Sequence, residues 1–279
     1  MKKPGTAIIM AGLILTISIG MTSCGDLLNN LQGGDELTTE EVIDGLKTAL
    51  KVGTDSAVSV VSLTDGYFRD EVIKILLPEE ASVITDHLDD QIFQTLGLTG
   101  TLEGMVDNVI LSVNRAAEEA AKGAAPIFRD AITDLSISDA WAILHGNNPA
   151  GGSTKSGTEE FDSTAATAYL KSTTYGDLTE LFAPHIDDAL DQPLGLQFSA
   201  NDAWDLLTGT YNDVAGSLAG QLAGLRTVNT DLGEFVVGKA LDGLFYKVGK
   251  EEVKIRRDPL AWAETAVGNV LKKVFGSGA

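Results

Sequence analysis

The sequence predicts an all-α fold: a single multi-helix domain with one short extended segment near 72–77, behind a signal peptide and a tether. Three observations predict it. Apolar residues recur at spacings of three and four along most of the chain beyond residue 38, the period of a helix with one buried face. Only one short run of mostly β-branched residues and Leu, Val72 to Leu77, stands apart from that pattern. The loops are short and no repeat of about 20 to 50 residues is present, which favours one domain over two. The expected boundaries are 1–23 for the signal, 24–37 for the tether and 38–279 for the helical domain.

Lys2 and Lys3 open the signal, Ile8 to Ile19 form an apolar run broken only by small residues, and the exit is polar. A membrane span needs about 20 apolar residues, so this run is too short to be one. Met21-Thr22-Ser23-Cys24 resembles the bacterial lipobox, in which the cysteine is lipidated and becomes the new N-terminus; Met21 stands where Leu is usual. Cys24 is the single cysteine, so no intramolecular disulfide can form and stability must come from packing. Gly25 to Glu36 is polar and without period. As a flexible tether it has an r.m.s. span of about 20 Å.

Thr39 is the expected cap of the first helix, with Glu40 and Glu41 in the turn where the macrodipole favours anions. Val42, Ile43, Leu46, Leu50, Ala57 and Val61 form its apolar stripe, and Asp65-Gly66 ends the segment. Pro78 then closes the extended segment by pushing Leu77 out of the helical region. A helix from about Glu79 to Thr95 turns Val83, Leu88 and Ile92 inward. The strongest helix spans Thr101 to Lys122, where Leu102, Val106, Val109, Val113, Ala117 and Ala120 share one stripe. Pro126 opens a shorter helix as its first residue, and Ser138 with Asp139 starts another that Gly146 ends. Residues 147–158 are Gly, Ser, Asn and Pro-rich and read as a surface loop. Helices resume near Glu159, then from Asp177 to Leu190, Asn201 to Leu225 and Glu234 to Glu252. The last runs from Pro259 to Phe275 behind an Asp258-Pro259 cap.

Charge narrows the partners. The formal net charge is −20, and removal of a signal bearing two lysines makes it −22. Nucleic acid is excluded as a partner, because its binding requires phosphate neutralisation by Lys and Arg. Anionic headgroups are repelled too, so contact with a membrane is expected through the N-terminal lipid alone. From Cys24 to Gly238 there are 35 acids against 10 Lys and Arg, whereas from Lys239 onward there are 8 basic residues against five acids. That basic end either lies on the acidic body or docks an anionic partner.

Several phrases recur in order: NRAAEEAA (Asn114 to Ala121), PIFRDAI (Pro126 to Ile132), SDAWAILHG (Ser138 to Gly146), TAYLKSTT (Thr167 to Thr174), KALDGLF (Lys239 to Phe245) and EEVKIRRDP (Glu251 to Pro259). Together they resemble the bacterial domain-of-unknown-function family 4197 (DUF4197), from about Thr39 to Gly276. The 147–158 loop is longer than the family's usual link, and Leu194 to Arg226 carries little of the resemblance. The resemblance implies an exported helical domain and brings no functional residue with it.

No constellation reads as a catalytic or metal site. Lys155 comes four residues after Gly151 with no strand before it, which is an ordinary loop and not a phosphate cradle. His87, His145 and His185 fall on different elements without the i, i+4 pair of helical zinc motifs, so no metal and no cofactor are expected. Asn114 and Glu118 form an i, i+4 polar pair that either lines a cleft or bonds a neighbouring loop backbone. Glu251, Glu252, Arg256 and Arg257 allow structural ion pairs along one helix. Gly216, Gly220 and Gly224 recur every four residues, a candidate face for close helix contact or a flat apolar ligand.

The resulting expectation is a lipid-anchored envelope protein, exported and held at the outer membrane on its periplasmic or surface side. Its role is expected to be non-enzymatic binding or scaffolding, with an envelope protein or an apolar ligand as partner. The alternative is a hydrolase using carboxylates and one histidine in an interhelical cleft, with His145 and His185 as the residues to replace.

Overall fold

The computed structural model describes residues 38–79, 99–149, 162–193, 199–222 and 224–258. The signal, Cys24, the tether, His87, the helices expected over Glu79–Thr95 and Pro259–Phe275, and residues 150–161 of the loop and of the helix start at Glu159 lie outside the described residues. The chain divides into two units, residues 1–36 and 37–279, and all that follows belongs to the second.

Every regular element among the described residues is a helix. In chain order they are α1 (Thr39–Val61), α2 (Thr99–Ala121), α3 (Ala124–Thr133), α4 (Ile137–Leu144), α5 (Ala165–Leu190), α6 (Ala200–Gly216), α7 (Leu218–Leu222) and α8 (Leu232–Arg257). The fold is all-α, as the periodicity predicts. The segment expected to be extended holds a turn at residues 71–73 and no regular structure over 74–78.

Caps set several boundaries one or two residues away from the expected ones. Thr38, not Thr39, caps α1: its hydroxyl accepts from the Glu41 N–H at 3.2 Å, while the Glu41 carboxylate accepts from the Thr38 N–H at 2.9 Å. That reciprocal pair satisfies two donors that the first turn leaves open. Ser136 caps α4 through the Asp139 N–H, two residues before the expected Ser138. Pro126 sits third in α3 and not first, still within the turn whose N–H groups have no helical acceptor. Asp258 ends α8 as its C-terminal cap.

The stretch read as two helices, from Glu159 and from Asp177, is the single helix α5 with Pro184 inside it. Its buried residues recur every four positions, as in Ala166, Leu170, Thr174, Leu178, Phe182, Ile186 and Leu190. Four residues advance about 400° around the axis, so the stripe turns by roughly 40° at each step. Such a stripe winds round the helix instead of marking one face. It suits α5, which packs against α2, α3, α4 and α8. α8 in turn packs against α1, α2 and α5, and α6 is attached to α2.

The α2 face at this centre is alanine: Ala116, Ala117, Ala120 and Ala121 are all fully buried. Small side chains there let neighbouring helices approach closely. Phe128 of α3 meets Phe245 of α8 edge to face, ring centroids 5.8 Å apart, the arrangement that aligns a ring edge with a π face.

Candidate functional site

Between α1 and the next described helix the chain crosses α8 as a non-helical strap, residues 62–79. Two side chains of α2 hold it. Asn114 is completely buried: its amide donates to the Ile75 carbonyl at 2.7 Å and accepts from the Ile75 N–H at 2.9 Å. Its second donor bond goes to the Ile110 carbonyl at 2.7 Å. Glu118, 4% exposed, accepts from the N–H groups of Tyr67 and Phe68 at 3.1 and 3.2 Å. Arg115 neutralises that carboxylate at 2.6 Å and reaches Asp65 at 2.5 Å. Of the two roles open to Asn114 and Glu118, these bonds are those of the second. The pair serves the loop backbone, because buried amides away from regular structure must find partners elsewhere.

Tyr67 and Gly243 seat the strap on α8. Tyr67 is fully buried and donates its hydroxyl to the Ala240 carbonyl at 2.7 Å. Burial, and after it the charge of Glu118, push its ionisation far above the usual tyrosine range. A side chain on Gly243 would stand 2.7 Å from the Tyr67 ring and 3.1 Å from Ile73. Only glycine admits the strap this closely.

Asp70 completes the attachment. It accepts from the N–H groups of Val72 and Ile73 at 3.1 and 3.3 Å and pairs with Lys247 of α8. Burial acts to raise its pKa, but the bond from Lys247, the two N–H bonds and the lysine's charge outweigh that and hold the carboxyl below its ordinary range.

The strap and α8 leave an open groove of about 690 Å³ between them. Val72 to Leu77 form one wall; Phe235, Lys239, Asp242 and Tyr246 form the other. Its cations are unusual in so acidic a chain. Lys74 lies 4.4 Å above the Phe68 ring and Lys239 5.7 Å from the Phe235 ring, and no carboxylate among the described residues pairs with either. Asp242 is engaged by Lys171 at 3.0 Å. Lys74, Phe235 and Tyr246 were not singled out by sequence. The Phe235/Lys239 and Tyr246/Lys250 spacings of four were the readable signal, since such pairs meet on a helix surface.

The basic end beginning at Lys239 thus divides. Lys247 and Arg256 turn inward on Asp70 and Glu252, while Lys254 stays exposed and pairs with Glu251. Glu252 caps α5 from another helix, accepting from the N–H groups of Ala166 and Thr167 at 3.1 and 2.8 Å and from the Thr167 hydroxyl at 2.7 Å. Thr164, at the capping position itself, provides no capping bond; its hydroxyl donates to Asp162 at 2.7 Å instead. Arg256 pairs with Glu252 at 2.8 Å and also donates to the Ile143 carbonyl, with only 8% and 6% of the two side chains exposed. Beside them lies a cavity of about 20 Å³, room for one water and no ligand.

The three glycines do not form a face. Gly216 ends α6, Gly224 has a φ of +77° in a turn, and only Gly220 is buried. The expected helix over Asn201–Leu225 breaks at Ser217, where a side chain on Gly220 would run into the Val214 carbonyl and come within 2.8 Å of the Ala215 backbone. His145 and His185 are both exposed. His145 ends α4 near the start of α5, and His185 is 19 residues beyond Ala166 along α5, roughly 28 Å of helix. The two histidines do not share a cleft. Among the described residues no group of three His, Cys, Asp or Glu is placed to hold a metal, and no helix is long and apolar enough to cross a membrane.

No curated protein and no solved structure matches the chain. A family model does, over residues 36–155 and 158–276. The match is interrupted only within the 147–158 loop and runs through 194–226, the stretch poorest in the family's phrases. With matched segments over most of its length, the chain belongs to the family described as "Protein of unknown function (DUF4197)".

Proposed function

We propose that the protein is a lipid-anchored domain of the bacterial cell envelope with a non-enzymatic binding role, and that the groove between the strap and α8 is where it binds. The observation that carries this reading is the groove itself. It joins apolar walls to lysines that no carboxylate pairs with among the described residues, the combination of apolar surface and a few polar contacts common to binding sites. The buried acids Glu118 and Glu252 are taken up by backbone amides and arginines, so they support architecture more readily than acid–base chemistry.

Native mass spectrometry of the 37–279 unit purified from cells tests the binding role. A reproducible adduct that is lost in Leu76→Asp supports it; Leu76 is 58% exposed on the groove wall, so the change spares the core. An apo mass, or an adduct indifferent to that change, refutes it. The anchor rests on Cys24 and the lipobox-like residues before it. Cys24→Ser is expected to move the protein from the membrane fraction to the soluble one, and retention in the membrane would refute the anchor.

A further inference from the structure

We infer that the groove takes a single-chain amphiphile with one anionic head, of the fatty-acid type, with Lys74 and Lys239 as its cationic contacts. The inference rests on the reading of the groove as a binding site and adds the chemistry of the ligand.

The lysines argue for an anion. The chain carries 40 acids against 20 Lys and Arg, and lysines elsewhere on the same helix, such as Lys247 and Lys254, have found carboxylates. Among the described residues no carboxylate pairs with Lys74 or Lys239. Each is parked by an aromatic ring instead, which holds an ammonium in place without neutralising it. Two positioned ammonium groups on the lining of one groove, with no carboxylate paired to them among the described residues, form a site for negative charge.

The walls argue for an apolar body. Ile73, Leu77, Phe235 and Tyr246 all border the groove. Phe235 and Tyr246 are 11 residues apart on α8, roughly 16 Å along the axis. The volume of about 690 Å³ falls within the range of about 300 to 1,000 Å³ usual for small-molecule sites. A wall of that length matches one extended acyl chain.

The rest of the charge argues for a single head. Asp242 and Glu79 border the same groove, and the formal charge of −20 surrounds it. A polyanion or an acidic peptide would be repelled in proportion to its own charge, whereas a monoanion meets the two lysines and draws most of its affinity from apolar burial. An anionic bilayer surface is opposed for the same reason.

The test is calorimetric titration of the 37–279 unit, which contains all the helices and bonds described, with monomeric laurate and with dodecanol, its neutral counterpart in chain length. Laurate is expected to bind more tightly than dodecanol, with the difference shrinking in high salt. Lys74→Ala and Lys239→Ala should each weaken laurate by about two- to fivefold, the range for exposed charge pairs, and leave dodecanol unchanged. Leu76→Asp should weaken both. Equal binding of the two probes, or lysine variants without effect, overturns the anionic head while the groove stands if Leu76→Asp still weakens both. Binding of neither probe, or binding indifferent to Leu76→Asp, overturns the groove itself. Binding to phosphatidylglycerol vesicles in preference to monomeric laurate overturns the single-chain assignment.

Discussion

Replacing Asn114 by alanine removes three hydrogen bonds and leaves the N–H and carbonyl of Ile75, itself 2% exposed, without partners. A buried backbone group stripped of its partner costs about 1 to 3 kcal/mol. The two Ile75 groups together therefore cost about 2 to 6 kcal/mol, while the Ile110 carbonyl keeps its helical setting and adds little. That is a large share of a total stability of about 5 to 15 kcal/mol. Urea unfolding of the 37–279 unit reads it directly: with a slope of about 3 kcal/mol per molar, a loss of 3 kcal/mol lowers the midpoint by about 1 M. Asn201→Ala is the control, because that amide bonds Asp191 at 2.7 Å in an exposed setting and its loss should stay within about 0.5 kcal/mol. Trypsin should also cut more readily after Lys74 in Asn114→Ala, since the strap loses its central tie. A midpoint within about 0.3 M of the parent, with no added cleavage at Lys74, would refute the argument that Asn114 holds the strap.

Glu252→Gln should destabilise by about 3 to 5 kcal/mol, because it removes the buried charge that Arg256 and the first turn of α5 share. The double change Glu252→Gln with Arg256→Met should cost less than the sum of the two single changes, measured by a double-mutant cycle in urea. Gly243→Ala should lose about 1 to 3 kcal/mol through its clash with Tyr67 and Ile73. Gly238→Ala, with nothing within 4 Å, should gain up to about 1 kcal/mol from helix propensity; equal effects at the two sites would sink the close-approach argument. Asp70 gives a pH dependence. Its carboxyl is held below its ordinary range in the folded state, so its contribution is present above the unfolded pKa of about 3.9 and is lost as the pH falls through the folded value. Asp70→Asn should flatten the decline in stability below about pH 4, and an unchanged acid limb would rule Asp70 out.

Where one helix face was buried, the sequence was legible. The stripe of α1 from Val42 to Val61 and that of α2 through Val109, Val113, Ala117 and Ala120 are buried as their spacing requires. The fold class and the family follow from such local patterns and phrases. α5 was misread because a helix packed on several sides has no single stripe, so its four-residue recurrence resembled two shorter elements. The glycine series failed for a different reason: a spacing of four marks one face only while the helix continues, and the chain turns at Ser217 and again at Gly224.

By itself the sequence determined the all-α class, the buried stripes of α1 and α2, the signal-like start with its single cysteine, and the acidic body with a basic end. Tertiary structure decided what the polar residues are for. Asn114 and Glu118 are four residues apart, but their partners lie 39 residues away at Ile75 and about 50 away at Tyr67 and Phe68. Glu252 caps a helix that begins 87 residues earlier. Lys239 and Lys247 share one helix; one faces an open groove and the other a half-buried aspartate. Helical periodicity is set by neighbours within a turn and can be read along the chain. Whether a charge is spent inside the fold or left for a ligand depends on which distant backbone and side chains it meets, and only the packed structure brings those together.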